Sequence, residues 1–292
     1  MVLLGKTPDE IKQTITELSM PAFTARQISD WLYRKRADTI EQMSNISLAN
    51  RQKLSQNNIS TGRKLPVEEQ ISTDGTRKYL FLTEKGNYIE TVYIPDGERH
   101  TLCVSSQAGC KMNCVFCHTG KIGFIENLSA SDILNQIYSV PQADILTNIV
   151  FMGMGEPLDN LANVLRTIEI ITADYAYAWS PHRITLSTVG LIQPMKQFLD
   201  ATNCHLAISL HSPFHDERIN LVPAEKAFPF ADIINELKEY DFAHQRRLSV
   251  EYILFDGIND TPDHARELTR ILNGLNCRVN LIRFHEIRGM EL

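Results

Sequence analysis

The chain has 292 residues, of which 43% are hydrophobic and 22% are charged, and its formal net charge is −6. This composition excludes disordered, collagenous and low-complexity proteins. No apolar stretch reaches the roughly 18 residues that span a bilayer, and the first residues are too polar for a secretory signal. We therefore expect a cytoplasmic protein with one large catalytic unit and one small accessory domain.

Residues 1–62 predict a small helical domain. Thr7 and Pro8 form a typical helix start, and apolar residues follow at helical spacing. Further helices are predicted at 25–36 and 48–56. The first 65 residues carry ten basic and six acidic side chains, a net charge of +4 against −10 for the remainder. A basic N-terminal region, called the helical head, joined to an acidic remainder indicates contact with a polyanion such as RNA. A solvated helical surface has the same composition.

Residues 63–98 predict a short antiparallel β segment that links two domains. Strand-like stretches flank Asp74 and Gly75, a pair typical of a tight hairpin turn. Residues 88–94 alternate between apolar and polar side chains and end at Pro95.

Residues 99–292 alternate between strand-like and helix-like stretches. Strands are predicted at 101–106, 147–152, 183–188, 205–210, 248–254 and 278–284, with helices near 129–140, 160–172, 191–200, 231–240 and 262–274. This alternation predicts buried parallel strands with right-handed crossovers. Six strands are too few for a complete eight-stranded barrel. We expect an α/β fold, a partial (β/α)6 TIM-like barrel with its catalytic and binding residues at the C-terminal ends of the strands.

Three of the six cysteines, Cys110, Cys114 and Cys117, follow the first of these strands at a C-x3-C-x2-C spacing. Clustered cysteines in a cytosolic chain indicate metal or redox chemistry. A structural zinc ion usually takes four ligands, and His118 is the neighbouring candidate for the fourth. An iron–sulfur cluster held by three cysteines instead leaves one iron open to a substrate or cofactor.

Five motifs resemble those of one family in order and in spacing. They are SSQAGCKMNCVFCHTGKIGF at 105–124, FMGMGEPL at 151–158, RITLSTVG at 183–190, LAISLH at 206–211 and VNLIRFH at 279–285. The family is the RlmN/Cfr family of radical S-adenosylmethionine (SAM) RNA adenine methyltransferases. The resemblance also covers the β linker and the helical head, hence nearly the whole chain.

The resemblance implies a radical mechanism with one 4Fe–4S cluster and two SAM molecules per turnover. C2 of adenine is electron-poor and does not attack the methyl group of SAM directly. In the family, one SAM methylates a cysteine, and the second is reductively cleaved to a 5′-deoxyadenosyl radical. That radical activates the S-methyl group for addition to the base, and a disulfide then releases the product. The targets are an adenine in the peptidyl transferase centre of 23S rRNA and the tRNA adenine beside the anticodon.

The resemblance also implies roles for individual residues. The cluster ligands would be Cys110, Cys114 and Cys117, and the cofactor would contact Gly155, Glu156, Ser187, Ser209, Leu210, His211 and Asn280. Cys103 matches the disulfide partner, and Glu90 matches the proton acceptor. Taken singly, Glu156 would be a surface acid at a strand end, Cys103 a buried strand cysteine and Glu90 an exposed strand acid. Cys204 and Cys277 are expected to be core residues at strand starts.

The sequence departs from the family at its end. The methyl-carrying cysteine of the family follows the last strand, and no residue before Leu292 corresponds to it. Arg288 stands where the family pattern has proline. We expect the chain as written to bind the cluster and SAM without completing RNA methylation.

Three alternatives remain at this stage. The first is a C8-specific rRNA adenine methyltransferase of the Cfr type. The second is a zinc-binding RNA module without catalysis, and the third is a radical enzyme with another substrate. The expected partners are 23S rRNA, tRNA and an electron donor such as flavodoxin or ferredoxin, for a monomer that does not contact a membrane.

Overall fold

The protein is described by a computed structural model that covers residues 1–285. The chain forms two compact units. The first contains Met1–Val104, Leu128–Asn148 and Ala162–Ser180, and the second contains Ser105–Asn127, Ile149–Leu161 and the described residues from Pro181 onward. No helix within residues 1–285 has the length and apolar character needed to cross a membrane. Arg288 and the chain end discussed above lie outside the described residues.

The elements follow one another in chain order. The helices are α1 (Pro8–Glu17), α2 (Phe23–Tyr33), α3 (Leu48–Gln56), α4 (His118–Ile122), α5 (Ala130–Ser139), α6 (Leu161–Thr172), α7 (Ile192–Ala201), α8 (His215–Leu221), α9 (Phe230–Leu237) and α10 (Pro262–Leu272). The strands are β1 (Glu68–Ile71), β2 (Arg77–Leu82), β3 (Tyr88–Asp96), β4 (Arg99–Cys103), β5 (Gln107–Ala108), β6 (Glu126–Asn127), β7 (Asn148–Phe151), β8 (Ile184–Thr188), β9 (His205–Ser209), β10 (Leu248–Leu254) and β11 (Arg278–Arg283). Short 3-10 turns lie at Ile40–Gln42, Pro157–Asn160, Pro181–Arg183 and Pro223–Lys226.

The helical start at Thr7 is confirmed in atomic detail. The hydroxyl of Thr7 accepts from the amide of Glu10 at 3.3 Å, and the Glu10 carboxylate accepts from the amide of Thr7 at 2.7 Å. This reciprocal capping box satisfies two amides that the first helical turn leaves without partners. The helix predicted at 25–36 is shorter at its end, because Arg36 has a φ of +54° that an α-helix does not accommodate.

The first unit holds four antiparallel strands in the order β1-β2-β3-β4. The Asp74–Gly75 turn lies between β1 and β2 as predicted, and Gly75 has a φ of +85°. The prediction that the third strand ends at Pro95 is wrong. β3 continues to Asp96, with Pro95 opposite His100 of β4. Proline lacks an amide hydrogen, but it still offers a carbonyl to the ladder and is tolerated near the end of a hairpin.

The second unit holds a parallel sheet in the order β7-β8-β9-β10-β11. The predicted strands at these five positions are confirmed to within one residue at each end. The strand predicted at 101–106 is β4, which ends at Cys103, pairs antiparallel with β3 and belongs to the first unit. The prediction of burial fails for β11, all six residues of which are exposed. Within residues 1–285 this strand pairs with β10 alone, so one of its edges faces solvent. The alternation of strands and helices did not predict the short helices α4 and α8, and both contribute to the site.

Candidate cluster and cofactor site

The cysteine loop, residues 109–117, is folded back by backbone hydrogen bonds. The amide of Cys110 donates to the carbonyl oxygen of Gly123 at 3.1 Å, and the amide of Cys117 donates to that of Cys114 at 3.1 Å. Gly109 has a φ of +72°, and a Cβ at this position would overlap the Gly123 carbonyl oxygen. Glycine is therefore required for the loop to close on itself.

Two of the three cysteines of the loop, Cys110 and Cys114, have buried thiols. Burial, with a smaller contribution from the neighbouring Cys117, raises the pKa of Cys110 to about 11 and that of Cys114 to about 12. Such thiols stay protonated near neutral pH unless a metal replaces the proton. Cys117 is half-buried at the start of α4.

The donor set fits an iron–sulfur cluster. Three soft sulfur ligands in one loop are typical of such clusters, which distribute their cysteines over separate irons. No three His, Cys, Asp or Glu side chains within residues 1–285 are arranged to hold a single metal ion. His118, considered above as a fourth zinc ligand, is exposed on the first turn of α4.

Glu156 follows β7 and is buried, so the interpretation of this residue as a surface acid is wrong. Its side chain is 3% exposed. Its carboxylate accepts from the amides of Leu158 and Val189, each at 3.0 Å, which joins the ends of β7 and β8. Burial raises the pKa of Glu156 to about 7. An ammonium group brought to this carboxylate would lower that pKa again and favour the charged form.

Gly155 is needed because it approaches Gln107 closely. It has a φ of +100°, and a Cβ there would lie 2.5 Å from the Cβ of Gln107. Gln107 is fully buried, and its amide group donates to Asn127 and to Asp159, each at 2.7 Å. Its side-chain oxygen accepts from the amide of Glu156 at 2.9 Å. Gln107 was not among the residues predicted for the site, although it lies within the motif at 105–124.

The end of β9 contacts the cysteine loop. His211, two residues past Ser209, has a φ of +62°, and its ring packs edge-to-face on Phe116 with centroids 4.6 Å apart. Phe116 lies between Cys114 and Cys117, so the contact brings predicted cofactor residues to the predicted cluster ligands. The Nδ1 atom of His211 accepts from the amide of Ile253 at 3.1 Å. Burial, assisted by the positive charge of Arg218, lowers the pKa of His211 to about 3, and the ring is neutral.

Arg218 of α8 is a buried cation that sequence analysis missed. Its guanidinium donates to the carbonyl oxygens of Val189 at 3.0 Å, Ser209 at 2.9 Å and Leu210 at 3.0 Å. It also pairs with Glu225, and these two side chains are 1% and 2% exposed. The cation therefore fixes the ends of β8 and β9 against each other. An arginine on a short polar helix predicts a solvated side chain, so the sequence offered no signal for this role.

The remaining predicted cofactor residues lie on the same sheet. Ser187 is half-buried, one residue before the end of β8. Asn280 of β11 is exposed, and its amide donates to the carboxylate of Glu251 at 2.6 Å. Glu251 is buried on β10 and also accepts from the hydroxyl of Ser249 at 2.7 Å. Asn280 is thus bonded to the neighbouring strand β10, and Ser187 lies on β8 of the same sheet.

Cys103 and Glu90 belong to the first unit. Cys103 is the last residue of β4 and is half-buried. Glu90 of β3 forms an ion pair with Lys78 at 2.9 Å, and the two side chains are nearly half exposed. No disulfide joins any two of the six cysteines, all of which lie within residues 1–285, so the disulfide implied for Cys103 is not formed here. The roles of both residues stay predictions.

The two remaining cysteines precede strands. Cys204 is fully buried before β9, where burial raises its pKa to about 12. Cys277 is half-buried before β11. The expected core position is therefore confirmed for Cys204 and only partly met by Cys277.

Comparison with known proteins identifies the family. The profile of the radical SAM superfamily matches residues 104–268, and that of the ribosomal RNA large subunit methyltransferase N-terminal domain matches residues 1–59. A probable dual-specificity RNA methyltransferase RlmN of Phocaeicola vulgatus is 57% identical over 99% of this chain and 83% of its own length. The chain belongs to the RlmN family of the radical SAM superfamily.

Other members of the RlmN family and a solved structure agree with this assignment. The dual-specificity RNA methyltransferase RlmN of Marinobacter nauticus is 40% identical over 97% of this chain and 79% of its own length. The crystal structure of a radical SAM methyltransferase from Sphaerobacter thermophilus matches with a TM-score of 0.92 and 36% identity, covering 98% of this chain and 86% of that one. The predicted α/β fold class is confirmed. Proteins of the RlmN family use a 4Fe–4S cluster and SAM, so both predicted cofactors are confirmed as well.

Proposed function

We propose that this protein methylates C2 of adenine in 23S rRNA and in tRNA beside the anticodon. The observation that carries the proposal is the contact between Phe116 and His211, which joins the cysteine loop to the C-terminal end of β9. This contact supports the proposal that the cluster ligands and the residues that bind the cofactor share one site. The names of the relatives, which match along almost the entire chain, support RNA as the substrate.

Cys110, Cys114 and Cys117 would hold the cluster, and one iron would remain for the amino and carboxylate groups of SAM. The cluster supplies the electron that splits the cofactor. Glu156 would accept the ammonium group of SAM, whose charge complements its carboxylate. The neutral ring of His211 would add no positive charge to a site that is to receive the sulfonium of SAM. Arg218 would keep the ends of β8 and β9 in register, with its own charge balanced by Glu225.

The helical head is the proposed RNA-binding module. Its net positive charge favours phosphate contacts, so RNA affinity should fall with salt. The target adenine must leave its stack to reach the site. RNA substrates and a flavodoxin- or ferredoxin-type electron donor imply a cytoplasmic location, and we propose a monomer. The domain boundaries after residues 62 and 98 are part of the same proposal.

The proposal is tested by anaerobic reconstitution with iron and sulfide. We expect uptake of four irons per chain, as for one 4Fe–4S cluster, and formation of 5′-deoxyadenosine when SAM and dithionite are added. Replacing Cys110, Cys114 and Cys117 by alanine should abolish both. The matched control Cys277→Ala should retain them. A colourless protein that binds zinc, or full activity without the three thiols, would refute the cluster.

Mass spectrometry of digested 23S rRNA and tRNA then tests the substrate. Formation of 2-methyladenosine supports the proposed position, and 8-methyladenosine would show that the enzyme is of the C8 type. If 5′-deoxyadenosine forms without any methyladenosine, the proposed RNA methylation is refuted and only SAM cleavage is supported.

A further inference from the structure

An exposed patch with both apolar and basic side chains lies beside the cysteine loop. Ile122, Phe124 and Ile125 are 46%, 40% and 50% exposed, although each is large and hydrophobic. Lys111 and Lys121 are exposed within the same segment, and the ammonium group of Lys111 lies 4.4 Å from the ring centroid of Phe124. These five residues are called the loop patch below. Three exposed apolar side chains within four positions are unusual unless another molecule contacts them.

The loop patch is connected directly to two of the proposed cluster ligands. Helix α4 begins immediately after Cys117, and the amide of Lys121 donates to the carbonyl oxygen of Cys117 at 3.3 Å. The carbonyl oxygen of Gly123, between Ile122 and Phe124, accepts from the amide of Cys110. The residues that a molecule bound to the loop patch would contact are therefore linked to the sulfur ligands by single backbone hydrogen bonds.

The charge of the loop patch is opposite to that of the whole chain. Between residues 105 and 127 the charged side chains are Lys111, Lys121 and Glu126, and Glu126 is buried at 6% exposure. Asp159 offsets part of the charge of Lys111, with a 2.8 Å ion pair. The exposed charge of the segment is thus positive on a chain with a net charge of −6. A positive area on an acidic protein selects an acidic partner by electrostatic complementarity.

We propose that the loop patch is the docking surface for an acidic one-electron carrier protein of the flavodoxin or ferredoxin class. This inference rests on the proposed function, which requires an external electron. An apolar centre with a charged rim is typical of protein–protein contacts, whereas nucleic-acid interfaces are more polar and more strongly basic. Redox encounters are also small and transient, which suits a surface of a few residues.

The electron count of this encounter is simple. The carrier is oxidised by one electron, and the cluster is reduced by the same electron. No bond forms between the two proteins. The electron is consumed when the bond between sulfur and C5′ of SAM breaks, giving methionine and the 5′-deoxyadenosyl radical.

The test compares a protein donor with a small chemical donor. Reconstituted wild-type protein and the double variant Lys121→Glu/Ile122→Ser receive electrons either from reduced flavodoxin or from dithionite, and 5′-deoxyadenosine is measured. A single variant, Phe124→Ser, keeps both charges. The controls are Lys238→Glu, at another exposed lysine, and Ile145→Ser, at an isoleucine that is 49% exposed.

We expect the double variant to lose about tenfold in the flavodoxin-driven rate, more at low salt, because the contact is partly electrostatic. Phe124→Ser should lose less, and its loss should not depend on salt. Dithionite-driven rates and both controls should stay at the wild-type level. Affinity for flavodoxin, measured by titration of the flavin fluorescence, should fall by the same factor as the rate.

Three results would overturn the inference. Equal losses with both donors would show that these residues support the cluster or the cofactor. Unchanged flavodoxin affinity would exclude docking at the loop patch. Weaker binding of an rRNA hairpin with normal flavodoxin affinity would identify the loop patch as an RNA surface. If wild-type protein fails to cleave SAM with dithionite, the proposed function fails, while the affinity titration still decides the docking surface.

Discussion

Replacing Arg218 by methionine removes the cation at the centre of the proposed cofactor site. The change leaves the carbonyl oxygens of Val189, Ser209 and Leu210 without their shared donor, and leaves Glu225 without its ion-pair partner. Methionine has nearly the length of the arginine stem, so the change removes charge with little loss of volume. The expected effect is therefore electrostatic.

The size of the effect follows from burial. Removing one partner of a buried ion pair costs about 3–5 kcal/mol, because the other charge remains buried and uncompensated. Glu225 keeps hydrogen bonds from the amide of Phe230 at 3.2 and 3.0 Å and its contact with His215, which stabilise part of its charge. The orphaned carbonyl groups add roughly 1 kcal/mol or more. We expect the free energy of unfolding to fall by about 4 kcal/mol.

The measurement is urea unfolding of the metal-free protein under reducing conditions, followed by circular dichroism. Arg218→Met is compared with Arg270→Met, whose side chain is 71% exposed and pairs with Glu267 at 2.6 Å. An exposed pair contributes about 0–1 kcal/mol, so the control should change little. Adding Glu225→Gln to Arg218→Met should recover part of the loss. The reasoning is refuted if Arg218→Met loses no more than the control, or if the second change makes it worse.

Three further predictions concern single residues of the site. His211 has a pKa of about 3 when folded and about 6.5 when unfolded, so its contribution is present above pH 6.5 and is lost as the pH falls towards 3. Between about pH 7.5 and pH 5 this effect lowers the free energy of unfolding by roughly 2 kcal/mol. In His211→Asn the urea midpoint should therefore depend less on pH than in the wild-type protein. An unchanged pH dependence would contradict the lowered pKa of His211. Gly155→Ala should destabilise more than Gly97→Ala, since a Cβ at Gly155 would lie 2.5 Å from a neighbouring side chain and one at Gly97 meets nothing within 4 Å; equal melting temperatures would argue against the close approach. Cys114→Ala should abolish iron uptake while Cys277→Ala keeps it, as measured by iron analysis after reconstitution, and retention of iron by the first variant would exclude Cys114 as a ligand.

Much of the architecture was predictable because it depends on local patterns. The capping residues at Thr7, the Asp74–Gly75 turn and the strands of the parallel sheet are each set by a few neighbouring residues. The errors occur where non-local contacts decide. Pro95 remains within a strand because β4 pairs with it, and β11 is exposed because within residues 1–285 it has a neighbour on one side.

The candidate site divides in the same way. The spacing of Cys110, Cys114 and Cys117 predicts a shared metal group, because three soft ligands within eight residues can be brought to one cluster by a single loop. The fate of polar side chains was not predictable. The family motif predicted Glu156 as a cofactor contact, but the residue taken singly favoured a surface acid, and Arg218 gave no signal at all. Burial depends on which strand ends and helices meet around a side chain.

The sequence by itself determined the longer helices, the strands of the parallel sheet, the three candidate sulfur ligands and the motifs that identify the family, since each depends on the spacing of residues along the chain. Only the tertiary structure decided three contacts. Arg218 donates hydrogen bonds to the ends of β8 and β9, Glu156 accepts hydrogen bonds that join the ends of β7 and β8, and Phe116 of the cysteine loop packs on His211. These contacts join residues from 9 to 95 positions apart that lie on different elements or in the loops between them, and no local pattern encodes them. Their physical basis is the cost of leaving buried polar groups unpaired, which selects the one packing that satisfies them together.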